Sequence, residues 1–221
     1  MDQDSTDQDS GRSWVEWFSS LKGNELFCLV DEDYLLDRFN LTGLNMDVQH
    51  FALAYDLVTD ALEQELDPDM WDQIEKSARH LYGLIHARYV LTAKGLAKMA
   101  DKLKAGSFGR CPRALCSNQH VLPVAVTDVV GAKSVKLYCP KCQDVYNPPS
   151  KRHIAIDGAY FTTSLPHLLL QMFPTLIPKK SKQRYTPTIF GFKIHDIANE
   201  HRMQDRIRLE IELKQGRVFE E

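Results

Sequence analysis

Four of the five cysteines stand in two close pairs, Cys111-x4-Cys116 and Cys139-x2-Cys142, with 22 residues between the pairs. Two short turns can each present two thiolates to one side. A β-hairpin that brings the turns together then gives the four-sulfur set that a tetrahedral zinc ion takes. Four protein ligands leave no position for water or substrate, so the ion expected here is structural. An iron–sulfur cluster on the same four thiolates and a redox pair at Cys139–Cys142 are the alternatives. The redox pair leaves Cys111 and Cys116 without a reason. Pro112 and Pro140 each follow the first cysteine of a pair and preset φ in the turn. Arg113 and Lys141 stand beside the thiolates and can offset their charge. Without the ion, the surrounding segment has too little core to fold alone. The fifth cysteine, Cys28, sits in the apolar string Leu26–Val30 and reads as a buried, inert thiol.

No other pattern carries chemistry. There is no glycine-rich phosphate loop, no G-x-S-x-G elbow and no H-E-x-x-H helix. His86-Ala87-Arg88 is not the catalytic loop of a kinase, and no D-F-G follows it. His86 reads as a helix-face histidine rather than a base. His153, His167, His195 and His201 have no acid or nucleophile at a telling spacing. The sequence therefore points away from an enzyme.

The elements that must position the cysteines follow from spacing. Ser13 and Glu16 form a capping-box pattern ahead of Trp14, Trp17, Phe18 and Leu21, and Gly23 closes that helix. Asp31 can cap a second helix bearing Leu35, Leu36 and Phe39. Phe51, Tyr55, Val58 and Leu62 mark a third. Ile74, Ala78, Leu81 and Ile85 predict the longest helix, over about Met70–Tyr89. Thr92 and Gly106 bracket one more. After Gly106, short apolar runs broken by Pro, Gly and Asp predict strands at Val121–Val126 and Val135–Tyr138. The fold class expected is α+β. It comprises a polar tail over 1–12, an all-helical domain over 13–106 and a small zinc-ribbon domain over 107–178. Residues 179–221 follow as an extended segment with a hairpin within Thr186–His195 and a charged tail, whose helical or strand character the pattern leaves open.

The 221 residues carry a net charge of −3 and are 43% hydrophobic, ordinary values for a globular chain. The charge is unevenly spread: −16 over residues 1–75, +9 over 76–149 and +4 over 150–221. Such a chain suits partners of both signs. No run of 18 apolar residues exists, and the acidic first residues are the opposite of a secretory signal, so an intracellular protein is expected.

Several strings, in order, then resemble one family. They are Trp17-Phe18, Gly23-Asn24-Glu25, VDEDYLLDRFNLTGL (Val30–Leu44), LYGLIHARYVLT (Leu81–Thr92), FGRCPRALC (Phe108–Cys116), VKLYCPKC (Val135–Cys142), DGAYF (Asp157–Phe161) and FGFKIH (Phe190–His195). Over roughly residues 13–197 the chain resembles the regulatory beta subunit of casein kinase II. The resemblance implies a protein without catalytic activity, placed in cytoplasm and nucleus, with one structural zinc per chain. It implies a homodimer joined through the zinc domains that carries two catalytic subunits, stabilises them and alters their choice of substrate. Cys111, Cys116, Cys139 and Cys142 match the family's zinc ligands. Ile189, Phe190, Gly191, Phe192, Ile194 and His195 match its kinase-docking hairpin, with Phe190 where the family usually has tyrosine. The family's acidic loop, a site for polyamines or basic proteins, is thinned here to Asp60, Glu63, Glu65, Asp67 and Asp69. Its N-terminal phosphorylation sites correspond to Thr6, which has an acid at +3, and more weakly to Ser5. A zinc-ribbon nucleic-acid-binding scaffold is the alternative reading, using Arg110, Lys133, Lys136, Lys141 and the basic run at 179–184. The acidic first third opposes it.

Overall fold

A computed structural model describes residues 12–64, 66–180 and 185–214. The described residues divide into two compact units, separated between Lys180 and Ser181. The polar tail expected over 1–12 lies almost wholly outside the described residues.

The first unit opens with five helices: α1 (Trp14–Ser20), α2 (Glu32–Leu36), α3 (Phe51–Val58), α4 (Pro68–Tyr89) and α5 (Ala93–Ala105). Side-chain caps set the starts of three of them, at the expected Ser13 and Thr92 and also at Asp67. The Ser13 hydroxyl accepts from the Glu16 N–H (3.2 Å), Asp67 from the Met70 N–H (2.8 Å) and Thr92 from the Gly95 N–H (3.1 Å). Asp31 precedes α2 but makes no side-chain cap. Its carboxylate instead pairs with Lys98 of α5 at 2.5 Å, and the Lys98 ammonium also donates to the Leu29 carbonyl (2.9 Å). Gly106 ends α5 in the left-handed region, at φ +75°.

Three antiparallel strands follow: β1 (Leu122–Val124), β2 (Lys136–Cys139) and β3 (Asp144–Tyr146). Leu122 pairs with Tyr138 and Val124 with Lys136, while Leu137 pairs with Tyr146 and Cys139 with Asp144. Along β2, Leu137 and Cys139 point inward and Lys136 and Tyr138 sit half-buried, the period-2 pattern of a sheet with one covered face. Two further helices, α6 (Lys151–Ile154) and α7 (Leu165–Met172), complete the unit. α7 packs on both α5 and β1, burying Leu165 and Leu169. The helices and the strands share one continuous core. Phe108, Val121, Leu122, Val135, Leu137 and three of the four paired cysteines belong to the same buried cluster as Leu26, Ile74, Leu81 and Ile85.

One face of α4 organises this core. Tyr82, His86 and Tyr89 recur at helical spacing and are buried to 1% exposure or less. The extended segment Leu26–Val30 lies against them with no strand beside it, so its backbone groups need other partners. The Tyr82 hydroxyl accepts from the Val30 N–H (3.2 Å) and donates to the Cys28 carbonyl (3.3 Å). His86 Nε2 accepts from the Cys28 N–H (3.1 Å), and His86 Nδ1–H donates to the Tyr160 carbonyl (2.8 Å). The carbonyl can only accept, which fixes the neutral Nδ1–H tautomer. Cys28 is the buried thiol expected, pushed up to about 12 by desolvation. Around this seam Trp14 stacks on Phe18 (5.2 Å), and Phe27 meets Phe161 (5.0 Å) and the His86 ring (4.9 Å).

Gly83 stands on the same helix because the Tyr160 ring lies where a side chain would be. A Cβ there would come within 2.6 Å of the ring. Tyr160 cannot easily move, because its hydroxyl bonds His80 Nδ1 (2.8 Å) while its carbonyl holds His86. Glycine to alanine in a helix normally stabilises by about 1 kcal/mol. Overpacking a fixed neighbour costs about 1–3 kcal/mol, so the clash should win. Gly83→Ala is expected to lower Tm by several degrees, and an unchanged or raised Tm would contradict the packing described.

Full burial lowers the His86 pKa from the ordinary imidazole range to about 4. The unfolded chain therefore takes up a proton that the folded chain refuses. The associated stability, about 3 kcal/mol, is complete above pH 6.5 and lost as pH falls toward 4. The ring's NMR signals are expected to stay those of the neutral Nδ1–H form at pH 5. A titration midpoint near 6.5 would show that His86 is not sealed in this way.

The second unit holds a two-stranded hairpin, β4 (Thr188–Ile189) and β5 (Phe192–Lys193), followed by the helix α8 (Asp196–Lys214). Thr188 pairs with Lys193 and Ile189 with Phe192.

Candidate metal centre and docking hairpin

The two cysteine pairs converge at the end of the three-stranded sheet. Cys111 and Cys116 flank a 3-10 turn, Ala114–Cys116, which passes into left-handed residues at Ser117 and Asn118. Cys139 ends β2, and Cys142 lies on the turn that leads into β3. The Cys111 N–H donates to the Gln119 carbonyl (2.8 Å) and the Gln143 N–H to the Cys139 carbonyl (2.8 Å), closing each knuckle on itself.

All four sulfurs lie within 4.8 Å of one another. Cys111 and Cys142 are 3.8 Å apart, Cys116 and Cys139 4.0 Å. A zinc tetrahedron with bonds of about 2.3 Å has edges of about 3.8 Å, which the two shortest sulfur separations already match. Cys111, Cys116 and Cys139 are buried and Cys142 half-buried. The four hold zinc as a closed structural site.

The electrostatics argue for a cation. Desolvation pushes the Cys116 thiol up to about 11 and the Cys139 thiol up to about 12, with the neighbouring sulfurs adding to it. Burial opposes ionisation of Cys142 too, yet its pKa is lowered by hydrogen bonds from Tyr146 and the other thiols. Four thiolates in one small buried space repel each other, and a divalent ion removes that penalty while taking the protons' place.

Two residues that support this site escape the spacing argument. The Tyr146 hydroxyl donates to Cys142 Sγ at 3.3 Å. Asp144 binds the Arg113 guanidinium at 2.6 Å and so bridges the two knuckles. Arg113 is thus committed to Asp144, although its backbone N–H faces Cys111 Sγ (3.4 Å). Lys141 donates to the Cys116 carbonyl (3.2 Å), another tie across the site. The signal for both missed residues is their place two and four residues after Cys142, on the strand that must turn back past the metal.

The hairpin β4–β5 presents its residues to solvent. Phe190 and Gly191 form its two-residue turn with φ of +49° and +85°, the positive pair that a tight hairpin of native twist demands. Gly191 accepts that geometry freely and Phe190 does not. Phe190 is 97% exposed, Phe192 79% and Ile189 52%. Ile194 is half-buried, with its N–H on the Pro187 carbonyl (3.2 Å), and His195 Nδ1 accepts from the Ile197 N–H (3.2 Å).

Asp60 turns back to accept from the Trp14 N–H (2.8 Å) at the start of α1, and Asp67 caps α4. Glu63 and Asp69 are exposed. Glu65, Thr6 and Ser5 lie outside the described residues.

Comparison with known proteins places the chain among relatives. Residues 13–193 match the family model described as casein kinase II regulatory subunit. The chain is 55% identical over 200 residues to casein kinase II subunit beta of Schizosaccharomyces pombe, covering 90% of this chain and 87% of the relative. It is 51% identical over 204 residues to casein kinase II subunit beta of Dictyostelium discoideum (92% and 76%), and 46% identical over 215 residues to subunit beta' of Saccharomyces cerevisiae (96% and 83%).

The metal centre yields a direct test. The purified chain is expected to hold one zinc per chain. A strong chelator should remove it and open residues 107–178 to proteolysis, with loss of the near-UV signal of the tyrosines beside the site. Full protease resistance after zinc removal would mean that the ribbon folds on its apolar core alone.

Proposed function

The chain belongs to the casein kinase II regulatory subunit family and is a non-catalytic regulator of that holoenzyme; from this premise we propose that two copies pair across their zinc ribbons and that each docks a catalytic subunit on its β4–β5 hairpin. The exposure of Phe190 and Phe192 is the observation that carries the docking half. Two large aromatic rings stand free on a short hairpin, where a soluble chain gains nothing by keeping them. Aromatic anchors of limited rotamer freedom are the side chains that concentrate binding energy when a partner pocket buries them. Phenylalanine at 190 keeps the ring and gives up only a hydroxyl.

The ribbon supports the dimer half. The ribbon exposes Val126, Val129, Val130 and Val145. An open groove of about 480 Å³ is lined by Val124, Tyr138, Pro140, Leu170 and Ile177, among others. A two-fold pairing would cover this apolar face with its own copy. The zinc fixes the knuckles from which that face is built, so metal and dimer are one structural proposition. Catalytic subunits held on such a dimer gain stability by mass action and meet substrates in a fixed orientation. Polyamines or basic proteins would meet the acidic stretch of Asp60, Glu63, Glu65, Asp67 and Asp69. We place the complex in cytoplasm and nucleus. Among the described residues no helix is long and apolar enough to cross a membrane.

Titration calorimetry with the catalytic subunit tests the docking half. The native chain is expected to bind one catalytic subunit per chain. Phe190→Ala/Phe192→Ala should weaken binding on the order of 1,000-fold while retaining its zinc. Native-like binding by the double variant would remove the hairpin from the interface.

A further inference from the structure

The helix α8 is not explained by anything above. The family model ends at Lys193, and α8 begins at Asp196. It runs for 19 residues, about 28 Å at 1.5 Å per residue. Its large apolar side chains, Ile197, Met203, Ile207, Leu209, Ile211 and Leu213, are all between 46% and 66% exposed. Met203, Ile207 and Ile211 follow one another at four-residue steps and form a row along one face. Salt bridges along the helix are long and exposed, as in Arg208–Asp205 at 3.7 Å, and contribute little. A helix without a packed face is marginal in water even at this length. A two-stranded hairpin is equally marginal alone. Neither element therefore supplies a core for the other, and both need an external surface.

The two elements are joined too closely to serve separate partners. Only Ile194 and His195 lie between β5 and α8. The Ile194 N–H is tied back to the Pro187 carbonyl, the Ile197 N–H to His195 Nδ1, and Lys193 sits 3.8 Å from Asp196. A partner domain of a few hundred residues is roughly 50 Å across, more than the length of α8. A domain that buries Phe190 and Phe192 therefore has the start of α8 within its reach.

We propose that α8 is the second half of the docking surface: the Met203–Ile207–Ile211 row lies on the same catalytic subunit that takes the hairpin. The proposal rests on the docking reading of the hairpin. It assigns to residues beyond the family model a share of the affinity for the kinase. Association then involves ordering of the helix on the partner, which makes it a coupled folding and binding event.

The test uses the full-length chain and the catalytic subunit. Ile207→Ala/Ile211→Ala keeps or raises helix propensity while removing the apolar row. This variant is expected to bind roughly 10-fold more weakly than the native chain. Amide exchange over residues 196–214 should slow when the native chain binds the kinase. Unchanged affinity in this variant, with binding still lost in Phe190→Ala/Phe192→Ala, would overturn the proposal and leave the hairpin reading standing. Unchanged affinity in both variants would overturn the two together. A change in the self-association of the regulatory chain, with kinase affinity intact, would also overturn it, because α8 would then belong to a second copy.

Discussion

Four thiolates crowded into one buried space need a cation, and the ribbon is arranged around that requirement. The two knuckles bring those four sulfurs together at the end of the sheet. Zinc would hold them at the sulfur separations near 4 Å that the structure shows, helped by the Arg113–Asp144 pair and the Tyr146 hydroxyl. The knuckles in turn fix where β2 and β3 start and stop, and so set the valine-rich surface beside them. Because Cys111, Cys116 and Cys139 belong to the same buried cluster as the long helix, the metal also closes one end of the core of the whole unit.

The other end of that core depends on hydrogen bonds rather than metal. Tyr82 and His86 do for Cys28 and Val30 what a neighbouring strand would do in a sheet. This gives the string Leu81–Thr92 a physical meaning. Leu81 and Ile85 fill the core, Tyr82 and His86 satisfy an extended backbone, Gly83 admits the Tyr160 ring, and Arg88 donates to the carbonyls of Asn40 and Thr42. His86 is therefore a structural group. A base would need access to substrate, and this ring has none, with both nitrogens engaged.

Much of this was legible in the residues alone. The zinc set followed from two short cysteine spacings, and the helices α1, α3, α4 and α5 from caps and apolar periodicity close to where they lie. The misses share one cause, a local signal overridden or supplied by distant groups. Asp31 looked like a cap and went to Lys98, an ion pair across 67 residues. Asp60 makes a bond that no local pattern announces, accepting from the Trp14 N–H at the start of α1, 46 residues away. The helix α7 was hidden because Leu165-Pro166 reads as a break, whereas proline at the first turn of a helix is well placed. α6 spans only four residues, too few for periodicity to register. The tail was ambiguous because its apolar residues fit both a helix with a weak face and an alternating strand. An unpartnered helix leaves just that pattern.

The central claim is that a zinc-built face pairs two regulatory chains, each holding one catalytic subunit. Native mass spectrometry of the chain mixed with the catalytic subunit tests it in a single experiment. The predicted species has two regulatory chains, two zinc ions and two catalytic subunits, and it sheds catalytic subunits before the zinc-loaded dimer separates. A complex of one regulatory chain with one catalytic subunit, or a dimer that persists without zinc, would contradict it.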